Sequence, residues 1–305
     1  MILKLRRGAL CAVFRECAGS FTQWGGRRLL RRAGLALSLL APLVIASAPA
    51  QAEAVPPNDI ELGFHSMYNL DFAKAHAYFS KWEQQHPTDP MGPVSQATAY
   101  LFSEFNRLGV LEAELFTDDS RFDARQKLTP DPKVREEFNG ALDQADKLAG
   151  GAAGQDNNNF LFSQVMALGL RSDYAALIEK RDFAAMRYMK EARELAEKLL
   201  LQDPKAYDAY IAVGVENYLS GIRPAPVRWL LQMGGVETDK NKGIQELQEA
   251  AAHGDLLKPY AKLLLAVASL RDNNTAEGCG LLNQLATTYP RNPLYRQNGA
   301  HCPAP

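Results

Sequence analysis

The stretch from Ile60 to Pro90, IELGFHSMYNLDFAKAHAYFSKWEQQHPTDP, decides the fold. Its apolar residues recur at helical spacing on both sides of Leu70-Asp71, which predicts helices over 58–70 and 72–86 joined by a tight turn. Leu62-Gly63 is followed by Ala75 twelve residues on, Phe79 four later and Pro87 eight after that. Further along, Val134, Phe138, Ala141, Leu142, Ala145 and Leu148 recur at three and four. Asp131 stands ahead of them as N-cap with Pro132 at the first helical position, and Gly150-Gly151 stops the run. The same Asp-Pro opening precedes Tyr207, Tyr210, Ile211, Gly214 and Tyr218 at Asp203-Pro204. Helices are also expected over 93–108, 157–178, 182–201, 239–252, 257–271 and 275–289. No run of alternating apolar and polar residues bounded by hairpin turns accompanies them, so the fold class is all-α. Short connections make consecutive helices antiparallel neighbours.

Two stretches interrupt the pattern, 109–132 and 221–238. Leu115, Phe116 and Phe122 in the first, and Trp229, Leu230 and Leu231 in the second, predict ordered excursions. Gly150-Gly151-Ala152-Ala153-Gly154 has no strand before it and no Lys-Ser/Thr after it, so it reads as a flexible link and not as a phosphate cradle. Asp156 to Asn159 reads as a helix cap.

The first hairpin's spacing resembles a tetratricopeptide repeat. The resemblance implies that Gly63 and Ala75 are small because the paired helices cross closely there, that Phe79 fills the gap between adjacent hairpins, and that Pro87 ends the second helix. Looser copies follow: Pro290 with Leu282 and Gly278, Pro204 with Ala196 and Ala192, and Tyr210 with Gly214. Between Ala209 and Leu270, Gly214, Asn217-Tyr218, Ser220, Pro224, Leu230-Leu231, Gly234, Asp239, Gly243, Leu247 and Ala250-Ala251 look like the tetratricopeptide-like family of eukaryotic inclusion-body-clearance proteins. That likeness implies a helical scaffold and transfers no catalytic residue. In tetratricopeptide arrays the first helix of each hairpin lines a concave groove, which here implies Ile60, Phe64, Met67 and Tyr68, then Ile211, Val215, Tyr218 and Leu219, then Tyr260, Leu263, Val267 and Leu270. Asn, Lys and Arg of a peptide-carboxylate clamp are missing from these positions. An apolar groove suits a hydrophobic segment or helix of a protein or peptide partner. The same residues fit a packing of these faces on one another or on the 109–132 excursion, and that packing is the favoured expectation.

The front of the chain has a different character. Of 34 Lys/Arg and 35 Asp/Glu, residues 1–52 hold eight bases and one acid, leaving 26 bases and 34 acids, net −8, in residues 53–305. A body that acidic repels phosphate, which argues against nucleic-acid binding. Arg27, Arg28, Arg31 and Arg32 precede the uncharged AGLALSLLAPLVIA of Ala33 to Ala46, and small residues follow in SAPAQAEA. This is the n-region, h-region and exit of a secretory signal, with cleavage expected after Ala52. The apolar run is shorter than the twenty or so residues of a membrane-spanning helix, so membrane attachment is expected only through an uncleaved leader. The organisation expected is therefore an export signal over 1–52 and one repeat domain over 53–305, periplasmic or secreted. In that oxidising setting Cys279 and Cys302 can pair or remain two thiols; a bridge would contribute roughly 3 kcal/mol at most.

Signals of chemistry are sparse. His65 and His76 lie at similar distances from the turn at Leu70-Asp71, with His86 and Asp89 further on, but metal ligation needs three or four convergent side chains and the register puts these on the outer face. Asp118-Asp119 and Glu136-Glu137 are neighbours only in sequence. No nucleophile elbow and no zincin spacing is present. The reading is an exported, non-catalytic scaffold that binds a protein partner and uses no cofactor. Its alternatives are an exported metal-dependent hydrolase using His65, His76 and Asp89, and a scaffold anchored in the inner membrane.

Overall fold

The computed structural model describes residues 56–110, 126–150, 157–223, 239–298 and Cys302. The chain divides into two units, Met1–Glu53 and Ala54–Pro305, and every described residue belongs to the second. The leader, Ala52 included, and most of the two excursions lie outside the described residues, as do Leu115, Phe116, Phe122, Trp229, Leu230 and Leu231.

Among the described residues there are eleven α-helices and no strand: α1 Asp59–Tyr68, α2 Phe72–Gln85, α3 Met91–Leu108, α4 Pro132–Ala149, α5 Asn158–Asp173, α6 Asp182–Gln202, α7 Tyr210–Gly221, α8 Lys240–His253, α9 Lys258–Arg271, α10 Thr275–Thr288 and α11 Leu294–Asn298. None of them is long and apolar enough to cross a membrane. The ends follow side-chain chemistry. Asn58 and Glu61 form a reciprocal capping box on α1, with Glu61 N donating to Asn58 Oδ1 at 3.0 Å and Asn58 N to Glu61 Oε2 at 3.2 Å. Leu70 takes a left-handed φ of 61° and turns the chain, and Asp71 then caps α2 through Lys74 N. Asp131 accepts from Lys133 N and Val134 N with Pro132 at the first position, and Asn157 caps α5 through Asn159 N. α3 stops at Gly109, whose φ of 69° is the left-handed close that glycine adopts without penalty.

Helices pair through small residues. Gly63 of α1 lies under the Phe79 ring of α2, and a Cβ at position 63 would stand 2.1 Å from Phe79 Cε1. Phe79 thus fills the crossing within its own hairpin, where the resemblance had placed it between hairpins; it also meets Phe64 edge-on at 5.6 Å. Ala75 is fully buried. In the α7–α8 pair Gly214 and Gly243 face each other, a Cβ on Gly243 falling 2.5 Å from Tyr218 N and one on Gly214 falling 3.0 Å from Gly243 O. Gly278 plays the same part for α10 against Leu270 of α9.

One expectation is refined and one changes. The helix expected over 157–178 runs without interruption from Asn158, but its last turn, Tyr174–Ile178, widens to a π-helix, with Tyr174 stacked on Phe138 at 5.1 Å and Ile178 fully buried. Asp203-Pro204 does not open α7. Asp203 Oδ1 accepts from Lys205 N in the turn after α6, and a 3-10 turn over Tyr207–Ala209 leads into α7 at Tyr210.

The core joins α1 to α5 with Leu285, Tyr289 and Tyr295, and smaller clusters lie between α5, α6 and α7 and between α7, α8 and α9. After α10 the chain returns to α1. Asn292, itself buried, donates its amide to Tyr68 O at 2.9 Å, Arg291 N donates to Asn69 Oδ1 at 3.3 Å, and the Arg291 guanidinium pairs with Asp71 at 3.3 Å. The Tyr289 and Tyr68 rings lie 5.4 Å apart, and Tyr68 Oη donates to Leu256 O at 3.0 Å. The first hairpin and the last segment of the unit therefore hold each other. Cys279, in α10, is disulfide-bonded to Cys302, with Cα atoms 5.6 Å apart.

Candidate functional site

Alternation of direction along the pairs brings the starts of α1, α3, α5, α7 and α9 to one end of the unit, and a cleft of about 490 Å³ lies among them. Asn58, Ile60 and Glu61 line it from α1, Asp89 and Met91 from α3, and Asn158, Asn159 and Phe162 from α5. Lys205, Tyr207 and Asp208 line it ahead of α7, with Asp255 and Leu256 ahead of α9 and Trp82 from the end of α2. The volume falls within the range of small-ligand and peptide pockets.

The carboxylates of this cleft are held by the backbone they cap. Asp89 Oδ1 accepts from Met91 N at 3.0 Å and from Asn159 Nδ2 at 2.7 Å, while its Oδ2 accepts from Trp82 Nε1 at 3.0 Å. Asp208 accepts three backbone N–H groups at the start of α9, from Asp255 at 3.1 Å, Leu256 at 2.9 Å and Leu257 at 3.1 Å. Burial pushes the Asp208 carboxyl up, the Asp255 charge acts in the same direction, and the three N–H donors act against both. Helix starts at about half a positive charge each, together with Lys205, roughly offset Glu61, Asp89, Asp208 and Asp255. The cleft thus combines fixed dipoles with apolar and aromatic walls that include Trp82, Phe162 and Tyr207, and hydrogen bonds hold Asp89 and Asp208 in place within it.

The chain matches no family model, no curated protein and no solved structure.

The groove that the tetratricopeptide likeness implied is not an open surface. Ile60, Phe64, Met67 and Tyr68 are buried: Phe64 meets Phe79 of α2 edge-on and Tyr68 meets Tyr289 of the returning segment, while Ile60 also lines the cleft. Ile211 and Tyr218 are buried, Val215 is half-buried, and Leu219 is exposed. Tyr260, Leu263, Val267 and Leu270 are half-buried, and Tyr260 meets Phe102 edge-on at 5.8 Å. The histidines are engaged apart from one another. His65 lies against Tyr289 at 5.3 Å, His76 against Tyr100 at 4.3 Å with its Nδ1 on Gln96 Oε1, and His86 against Trp82 at 4.0 Å. Among the described residues no group of three or more His, Cys, Asp and Glu side chains is placed to hold a metal ion.

Sequence reading missed the Asp208 anchor and the Asn292 clasp. It also missed a polar network between α6, α7 and α8, in which Arg193 donates to Glu197 at 2.8 Å and to the buried Asn217 at 3.3 Å, and Asn217 donates to Glu246 at 2.7 Å. Asp208 and Asn292 bond partners dozens to hundreds of residues away, which no local spacing encodes. Asn217 carried a trace, as a polar residue amid an apolar helical run.

Proposed function

We propose that the chain is an exported helical-repeat scaffold of the tetratricopeptide-like kind that binds a protein partner in the cell envelope and performs no chemistry of its own. The observation that carries the reading is the state of the cleft: Asp89 and Asp208 are consumed by backbone and side-chain donors, so its polar groups are fixed for recognition. Supporting it are small-residue crossings in three hairpins and the basic, apolar, small-residue order of the first 52 residues. The buried apolar face of α1 moves the expected partner surface from the concave groove to the cleft at the helix starts.

The test is site-directed photo-crosslinking in whole cells. A crosslinker at Lys205, on the cleft, is expected to trap a discrete protein partner, and one at Gln245, exposed on α8, is expected to trap none. Equal or absent labelling from both positions contradicts the reading. The mature N-terminus is expected just after Ala52; an intact leader would favour the anchored form of the scaffold.

A further inference from the structure

α6 is the longest helix among the described residues, and it packs on the unit along one side. Ala185, Ala192, Ala196 and Leu199 are buried at helical spacing, on the side that meets α5 and α7. With about 100° of turn per residue, the opposite side carries Phe183, Arg187, Lys190, Glu194, Glu197 and Leu201. All six are exposed, and their spacing of four, three, four, three and four is that of a helix–helix seam. Phe183 and Leu201 are the most exposed large apolar side chains among the described residues, at 92% and 86%. A lone apolar residue on a surface calls for no explanation, but these two stand at the two ends of one stripe.

The stripe reads apolar, basic, basic, acidic, acidic, apolar. Its members are placed evenly about the level of Ala192: Lys190 and Glu194 two residues to either side, Arg187 and Glu197 five, Phe183 and Leu201 nine. A two-fold axis at that level lays a second α6 antiparallel on the first and sets every member opposite its complement, base on acid and phenylalanine on leucine. A parallel alignment would set like charges opposite one another. Within the chain the same charges are held loosely: Arg187 meets Glu191 at 3.7 Å and Lys190 meets Glu194 at 3.8 Å, exposed pairs that contribute little in water. Glu197 accepts from Arg193 Nε through Oε1 at 2.8 Å. The long basic side chains also lend apolar stems to the stretch between its two ends.

We propose that this stripe is a self-recognition surface on which α6 of a second copy of the chain docks antiparallel, giving a two-fold dimer centred at the level of Ala192. The inference goes beyond the partner reading of the cleft and does not rest on it. The occupant is a second copy because the stripe is its own complement under a two-fold axis, a symmetry that an unrelated partner has no means of imposing. Charge order sets direction and register, and the apolar ends supply burial. The stripe runs for about 27 Å, the length of one helix-pair seam. That is less surface than a permanent dimer buries, so dimer and monomer exchange, with a Kd on the order of 10–100 µM.

The test is sedimentation of the full chain from about 1 to about 500 µM. The wild-type protein is expected to pass from monomer to dimer over this range, and to dissociate severalfold more readily in about 0.5 M than in about 0.05 M salt. Lys190→Glu leaves acid opposite acid, and Glu194→Lys leaves base opposite base, so each alone is expected to weaken the dimer about tenfold or more. Mixed in equal amounts, the two variants again set acid opposite base, and dimerisation is expected to return to within about threefold of the wild type. Phe183→Ser is expected to weaken the dimer and to leave its salt dependence unchanged. A wild-type chain that stays monomeric at the top of the range, a charge variant that dimerises alone as the wild type does, or a mixture no stronger than its parts overturns the proposal. If a charge variant does not fold, the wild-type salt series decides: a dimer indifferent to salt overturns the assignment, and one weakened by it supports the charged seam.

Discussion

At the scale of single residues, the tightest constraints are steric. Gly243 has the backbone of Tyr218 where a side chain would go, and backbone cannot rotate away as the Phe79 ring beside Gly63 can. Gly243→Ala is therefore expected to destabilise by about 2–3 kcal/mol and Gly63→Ala by less, read as a difference between the two in denaturant midpoints. Charge adds a second constraint at Glu104, which is buried and accepts from Arg107 Nε at 2.8 Å and from Asp131 N at 2.7 Å. The hydrogen bond from Arg107 holds its carboxyl below the usual range. A depressed acid stabilises the fold above its unfolded value and loses that contribution as pH falls through the folded one. Glu104→Gln should thus cost roughly 1–2 kcal/mol at pH 7, and the gap to wild type should shrink below about pH 4. A gap independent of pH would contradict the assignment.

At the scale of elements, the helices and their pairing were legible in the sequence, and their wider neighbours were not. Val134 to Leu148 and the Asp131-Pro132 start encode α4 within eighteen residues, because amphipathic spacing and capping are local. The widening after Asp173 is different, since its residues contact Phe138 and Leu128 on other segments, and periodicity marks the helix there without marking its change of pitch. Asp203-Pro204 misled for the same reason: the start of α7 is placed by Asp208, which reaches forward to the start of α9. Asp208→Ala should remove three acceptor contacts at once and loosen the 254–257 turn. The expected outcome is a loss of about 2 kcal/mol or more and faster exchange at Leu256 and Leu257, with the cleft's shape altered and partner crosslinking from Lys205 reduced.

At the scale of the whole unit, the decisive feature is that its first and last segments meet. Tetratricopeptide spacing implies a concave face on α1, and the segment carrying Tyr289, Arg291 and Asn292 meets the end of that helix at Tyr68 and Asn69. The disulfide between Cys279 and Cys302 encloses this segment within one covalent loop. Reduction, or Cys302→Ser, is expected to lower stability by roughly 3 kcal/mol without dissolving the helices. Circular dichroism against denaturant would show a shifted midpoint with unchanged native ellipticity, and a loss of native helicity would mean that the bridge, and not the apolar core, holds the unit together.

The contact of the first hairpin with the segment after α10 joins parts of the chain more than two hundred residues apart. Nuclear Overhauser contacts between the aromatic protons of Tyr68 and Tyr289 in the oxidised protein measure this contact directly. The account predicts strong cross-peaks between rings 5.4 Å apart, lost in Asn292→Ala if that clasp gives way. Absence of these cross-peaks in the folded wild-type protein, with a solvent-exposed Tyr68, would contradict it.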